Sequence, residues 1–364
     1  MLLCYQISGQ VLDSRTSNEP LDTVFIRMYH GDWTEHLKGL SSFFSQFEFY
    51  LVLLNVEVKW LIHISQIPQV NDHLKLDDNG RTELNNVLQN FTVNDAHNMI
   101  MTVHPTPENE IVAVMDFLSK KCPRYKLNEV GFDVYQSPFK EDAKNLVYAI
   151  MFGRELNYFL FPTMERICGS LYNLEETVFP TMESNIVSGN GNETSEKVNS
   201  NRTLIEALNH LVNIARKVSI TTQFSGNCRS YDHQNCFLNV DNWQSIWEDF
   251  IKLSFKIEYN SKNERIGTVR EYLPSLAITI QVFNERLCPF IKELVDRNSG
   301  INGQFANNEF AQAESSLFAA NEHLDACDLL KDTTDQLLVE RMVKGLCYSL
   351  FGYLKVLEGL SFLH

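Results

Sequence analysis

The sequence predicts an α+β fold with a mixed α/β N-terminal domain over residues 1–183, a polar flexible linker or loop over 184–201, and an all-α helical bundle over 202–364. Two patterns lead to this prediction. Strand-like and helix-like periodicities alternate from about residue 50 to residue 160, which favours layered α/β packing. After the polar stretch only helical periodicity recurs, which indicates a bundle.

The first elements are short apolar stretches separated by turn residues. Tyr5–Val11 and Thr23–Tyr29 are predicted to be strands, and residues 34–45 a helix. In Val56–Ile64 the apolar residues occupy every second position. Because the side chains of a strand point alternately to its two faces, this alternation predicts a half-buried strand.

The apolar segment from Phe43 to Ile67 is long enough to be considered as a membrane span. It carries Glu48, Glu57 and Lys59. Each charge at the centre of a bilayer costs roughly 2.5–3.5 kcal/mol on insertion scales. The sequence therefore predicts no membrane span.

Strands and helices continue to alternate up to residue 162. Asn98–His104 has the alternation of a strand, and Pro162 is expected to end the last helix because proline has no amide hydrogen. The predicted helices of this region are 79–89, Glu108–Cys122 and Glu141–Phe161, and the remaining strand is Val130–Tyr135.

The segment Ser184–Asn201 is rich in Asn, Ser and Gly, which is typical of a flexible linker or a long surface loop. Helical spacing of apolar residues follows it. Pro274 and Pro289 are expected to kink or interrupt the helix that contains them. The predicted helices of the second half are Thr203–Val218, Asp241–Tyr259, Val269–Val295, Asn307–Leu330 and Thr333–Phe362.

The composition is that of an acidic globular protein. The 364 residues include 31 Lys and Arg against 46 Asp and Glu, a formal net charge of −15. Such a surface repels phosphate backbones, so the composition disfavours nucleic acid as a partner. The densest basic cluster, between Lys120 and Lys126, lies at a predicted helix end, where the helix dipole favours cations.

The eight cysteines are spread along the chain, and several lie beside Leu and Phe in helical patterns. Cysteines in such positions behave as small apolar residues, whereas a disulfide scaffold is usually smaller and denser in cysteine. The N-terminus also lacks the apolar stretch of a secretion signal. We therefore expect an intracellular protein, cytoplasmic or nuclear.

Two turns after predicted strands carry groups suited to acid–base chemistry. His30, Asp32 and His36 lie before a predicted helix, and His104 and Glu108 lie in a second turn of the same kind. Ligand sites gather at such turns in α/β sheets, so these residues are the predicted catalytic groups. The alternative is structural, because Asp32 can cap the next helix and Glu108 suits the first turn of one.

A third cluster contains Cys228, His233 and Cys236, which could supply three of the four ligands of a structural zinc site. The spacing is wider than that of a CxxC pair, and no fourth ligand is nearby. The alternative is a polar loop between helices with two incidental cysteines. No other cofactor is predicted.

The sequence contains no GxGxxG, GxxxxGK[ST] or GxSxG motif. The apolar stripes of the C-terminal helices are of the kind that bind partner helices. We therefore predict a non-enzymatic adaptor that acts within a complex and binds a protein partner through an apolar helical surface. The alternative is a hydrolase-type enzyme with a His/carboxylate site, with or without a metal, between the two halves.

Overall fold

The structure, a computed structural model, describes residues 44–68, 70, 74–103, 110–125, 127, 138–177, 191–218, 243–255, 269–297, 301–329 and 335–363. The regular elements within these ranges are helices, and none of them is a strand. The prediction of an α+β fold with a mixed α/β N-terminal domain is therefore wrong.

The helices are named in chain order. They are α1 (Gln46–Ile64), α2 (Asp78–Gln89), α3 (Val93–Val103), α4 (Glu110–Lys121), α5 (Pro138–Glu155), α6 (Phe161–Thr177), α7 (Gly191–Lys217), α8 (Trp243–Phe255), α9 (Val269–Arg297), α10 (Ile301–Leu329) and α11 (Asp335–Ser361). A 3₁₀ turn (Pro123–Tyr125) follows α4, and a π-helical turn (Leu156–Leu160) joins α5 to α6.

The segment predicted as a strand at Val56–Ile64 is the second half of α1. Ser45 caps this helix, since its side-chain oxygen accepts a hydrogen bond (3.0 Å) from the backbone N–H three residues on. Most of α1 is buried. Apolar residues therefore occupy odd and even positions of α1 alike. In such a helix, alternation over a short stretch does not distinguish the helical period from that of a strand. No helix among the described residues combines the length and apolar character needed to cross a membrane.

The second predicted strand, Asn98–His104, belongs to α3 as far as Val103. A reciprocal cap starts this helix. The Asp95 N–H donates to Thr92 Oγ1 (3.2 Å), and the Thr92 N–H donates to Asp95 Oδ2 (3.0 Å). The other predicted strands lie outside the described residues: Tyr5–Val11, Thr23–Tyr29 and Val130–Tyr135.

Pro162 does not end the helical run as predicted. It lies in the first turn of α6, where it offers no amide hydrogen to the carbonyl four residues earlier and its ring crowds that carbonyl. The preceding turn is widened, and the Phe161 N–H donates to the Leu156 carbonyl five residues back. This π-helical turn carries the chain past the proline.

The predicted helices of the second half are present as α7 to α11. α7 begins at Gly191, so the described part of the predicted linker, residues 191–201, is helical. Pro274 and Pro289 both lie inside α9, which continues through them from Val269 to Arg297. The predicted domain boundaries stay a prediction.

The described residues form two compact units. The first contains those between 44 and 153 and residues 243–255, and α1 packs there against α2, α3, α4 and α8. The Trp60 ring centroid lies 5.0 Å from the ring centroids of Trp247 and Phe250 on α8. On another side, the Phe91 ring lies 5.6 Å from those of Phe47 and Phe117. The core of this unit is therefore rich in aromatic contacts.

The second compact unit contains the described residues between 154 and 218 and from 269 to 363. Its α10 and α11 form an antiparallel hairpin. A Cβ added at any of three α11 glycines would lie 2.4 to 2.7 Å from a facing α10 side chain, so the helices approach closely. The seven-residue spacing on both helices is that of coiled-coil packing. Gly345 faces Leu324, Gly352 faces Leu317, and Gly359 faces Phe310.

A buried polar network joins α9 to this hairpin. The Tyr353 hydroxyl donates to Asn284 Oδ1 (2.6 Å), and Asn284 Nδ2 donates to Ser349 Oγ (3.0 Å) and Asn321 Oδ1 (2.9 Å). Tyr353, Asn284 and Ser349 are fully buried. Because unpaired polar groups are costly in such a place, the network fixes the register of the three helices.

Candidate functional site

None of the site residues predicted from the sequence falls within the described ranges. The predictions for them are neither confirmed nor contradicted, and they stay predictions. The predicted catalytic residues are His30, Asp32, His36, His104 and Glu108, and the predicted zinc ligands are Cys228, His233 and Cys236.

The hairpin of α10 and α11 brings together charged and polar groups that are distant in the sequence. Arg341 Nη1 lies 3.2 Å from Nδ1 of His323, and Lys344 follows Arg341 on α11. The Tyr348 ring stacks on the His323 ring, with the centroids 5.5 Å apart and the planes inclined by 24°. All four side chains are half-buried. We call His323, Arg341 and Lys344 the cationic cluster.

The charge state of His323 follows from its neighbours. A guanidinium cannot accept a hydrogen bond, so Arg341 donates and Nδ1 of His323 holds the lone pair. Burial lowers the pKa of His323, as do the positive charges of Arg341 and Lys344, while the Glu322 carboxylate opposes them. The ring is therefore neutral at neutral pH, with its proton on Nε2.

This arrangement is suited to binding an anion. Guanidinium and ammonium groups are the usual ligands of carboxylates and phosphates, and the His323 Nε2–H adds a neutral donor. Because Nδ1 accepts from Arg341 and Nε2 already carries a proton, His323 is not arranged to remove a proton from a substrate. The cationic cluster can therefore bind and orient a ligand.

A second imidazole, in the first compact unit, has a different arrangement. The His63 ring centroid lies 6.1 Å from that of Trp60 and 5.5 Å from that of Phe250. Burial lowers the pKa of His63. The Ile246 backbone and the negative charge of Asp249 act in the opposite direction, but their effect is smaller. A neutral imidazole has a lone pair on one of its two ring nitrogens. His63 can therefore accept a proton.

No group of three or more His, Cys, Asp or Glu in the described ranges could hold a metal ion. The described cysteines are free thiols, and Cys168 and Cys327 are buried in helices, as the sequence pattern indicated. Burial raises the pKa of each of these two thiols to about 12. They are therefore protonated at neutral pH, which makes them poor nucleophiles and metal ligands.

The cationic cluster was not predicted from the sequence, although one signal for it was present. Arg341, Lys344 and Tyr348 follow one another at spacings of three and four residues, so they share one face of an otherwise apolar helix. His323 could not be added to this face from the sequence. Its approach to Arg341 depends on the register of the hairpin.

The known proteins to which this chain is similar in sequence are named as lyases. No family model matches the chain. The adenylosuccinate lyase of Buchnera aphidicola subsp. Schizaphis graminum is 22% identical over 305 residues, which are 83% of this chain but only 62% of that protein. The adenylosuccinate lyase of Haemophilus influenzae is 21% identical over 375 residues, covering 96% of this chain and 80% of the relative. That of Escherichia coli strain K12 gives the same identity and coverage.

These similarities overturn the predicted function. Several relatives along most of the chain carry the name of a lyase, so the prediction of a non-catalytic adaptor is wrong. They also point to a lyase and not to the hydrolase of the alternative prediction. The helical character of the described residues is a separate finding, which rests on the structure.

Proposed function

We propose that this chain is a lyase that acts on adenylosuccinate. The observation that carries the proposal is the similarity to bacterial adenylosuccinate lyases over 83% to 96% of the chain. The cationic cluster supports it independently, because this substrate class is anionic.

The chemistry of the substrate defines what the site must do. Adenylosuccinate is an adenine nucleotide joined to succinate through a carbon–nitrogen bond. In an elimination, a base removes a proton from the carbon beside a carboxylate, and that electron pair forms a carbon–carbon double bond. The electrons of the carbon–nitrogen bond leave with the nitrogen, which then takes up a proton. The products are the amino nucleotide and an unsaturated four-carbon diacid.

Such a substrate carries a phosphate and two carboxylates, so its site needs several cationic groups. Arg341 and Lys344 supply two of them, and His323 adds a donor of fixed tautomer. We assign the cationic cluster to binding one of these anionic groups, which holds the reacting carbons in place. For proton transfer, the candidates are the residues predicted from the sequence, His30 and His104.

The experiment that tests this proposal identifies products as well as turnover. The purified chain is incubated with adenylosuccinate, and the products are separated by chromatography. We expect the nucleotide and the unsaturated diacid in equal amounts. A saturated hydroxy diacid would mean hydrolysis, and intact adenylosuccinate after incubation with folded protein would exclude this substrate. Either result overturns the proposal.

A cytoplasmic location is part of the proposal. The free, buried thiols of the described helices fit a reducing compartment, and bacterial relatives give no support to the nuclear alternative. The predicted protein partner on an apolar helical surface also remains a proposal. It is supported by Phe318 of α10 and Ile278 of α9, which are 68% and 50% exposed.

A further inference from the structure

Glu155, the last residue of α5, has its carboxyl group in the interior of the second compact unit. The residue is 0% exposed, and among the described residues neither of its carboxyl oxygens has a hydrogen-bond partner. The next residue begins the π-helical turn, whose side chains Leu156 and Leu160 are also buried. An acidic side chain is thus held where the surroundings offer it no compensation.

The titratable groups that face this carboxyl are themselves uncharged. On α11, Cys347 and Tyr353 lie within reach of its charge, and burial raises the pKa of both. Cys168 on α6 and Cys288 on α9 lie near Tyr353, and burial raises the pKa of these thiols to about 12 and about 11. Within the described ranges, no Lys, Arg or His shifts the pKa of Glu155, and burial is the cause of its rise.

We propose that Glu155 is a proton-dependent element of the second compact unit, protonated when the unit is folded, and that loss of this proton loosens the helix around the π-helical turn. The physical reason is the cost of an ionised carboxylate in an apolar interior without a partner. The π-helical turn is the element on which this cost acts, because it begins at the residue after Glu155 and already departs from regular helix geometry.

The pH window follows from the two protonation states. Burial raises the pKa of Glu155 from 4.5 to about 8 in the folded state. Between these values the unfolded chain has lost the proton and the folded chain retains it, so folding weakens as the pH rises. With one proton involved, the folding equilibrium constant falls about tenfold per pH unit from about pH 4.5 to about pH 8 and then levels off.

The test compares urea unfolding of wild type and Glu155→Gln from about pH 5 to about pH 9. We expect the ratio of their folding constants to change about tenfold per pH unit up to about pH 8, in favour of the variant. Glu206→Gln is the matched control, because Glu206 is exposed on α7 of the same unit and should follow wild type. Parallel curves for wild type and Glu155→Gln overturn the proposal.

Amide hydrogen exchange at the π-helical turn tests the loosening itself. Between about pH 7 and about pH 9, amide exchange of residues 154–161 should accelerate more in wild type than in Glu155→Gln. The comparison with the variant corrects for the intrinsic effect of pH on exchange. Equal acceleration contradicts the proposal. If Glu155→Gln does not fold, Glu155→Met takes its place. If neither folds, the ¹³C carboxyl resonances of wild type decide, since one must titrate near pH 8, and the absence of such a resonance overturns the proposal.

Discussion

Arg341 donates a hydrogen bond to Nδ1 of His323, with 3.2 Å between the two nitrogens, and so connects the two helices of the central hairpin through an imidazole. Donation in this direction holds the ring neutral and leaves its Nε2–H as a donor. Arg341 therefore supplies positive charge and also determines the tautomer of its neighbour.

The first prediction concerns the pKa of His323. Replacing Arg341 with Met removes a positive charge and the donor to Nδ1, so the pKa of His323 should rise toward 6.5. The measurement is an NMR titration of the histidine ring protons. Arg202→Met is the control, because Arg202 is exposed on α7 and pairs with Glu206. An unchanged titration of His323 in Arg341→Met would show that Arg341 does not lower the pKa of His323.

The second prediction concerns the glycine contacts of the hairpin. In Gly352→Ala the new Cβ would lie 2.7 Å from Leu317 Cδ2 and 2.8 Å from Leu317 Cγ. We expect a loss of about 1–3 kcal/mol in the free energy of unfolding, since overpacking forces side chains from their rotamers. Urea unfolding measures this loss.

The matched control is Gly169→Ala in α6, where an added Cβ meets nothing within 4 Å. This change should stabilise the protein by about 0.5–1 kcal/mol, because alanine loses less conformational entropy in a helix than glycine. If the two alanine variants have the same free energy of unfolding, the close approach of α10 to α11 does not require glycine at position 352.

The third prediction concerns the buried network. Tyr353→Phe removes the hydroxyl that donates to Asn284 Oδ1 and leaves that oxygen without its donor in the interior. We expect the free energy of unfolding to fall by about 1–3 kcal/mol. Tyr172→Phe, at a position that is 41% exposed, should change it by less than about 0.5 kcal/mol. Equal effects of the two substitutions on thermal or urea unfolding would contradict the role given to Asn284.

The helices of the second half could be predicted from sequence because each has one buried face, so apolar residues recur at helical spacing. The same reasoning failed in α1, which is buried on most sides. There the informative residues were the polar ones: Asn55, Lys59 and His63 recur every fourth residue and are partly exposed. In α3, the Thr92–Asp95 cap indicated a helix start that the alternation of the following residues concealed.

The candidate site was less accessible to sequence analysis, because it depends on contacts between distant residues. The stripe of Arg341 and Lys344 is visible in the sequence, whereas its contact with His323 requires the register of α10 against α11. Glu155 also gave no local signal. An acidic residue near the end of a predicted helix is usually solvated, whereas this one is buried and lies near Cys347 and Tyr353 of the distant helix α11.

The most direct test of the proposed lyase is the ratio of kcat/KM for adenylosuccinate between wild type and Arg341→Met. With Arg202→Met as the control, we expect measurable turnover in wild type, a loss of at least about tenfold in Arg341→Met, and a ratio near one for the control. Turnover that is unchanged in Arg341→Met would show that the cationic cluster does not bind the substrate. A folded wild-type protein that does not convert adenylosuccinate would contradict the account as a whole.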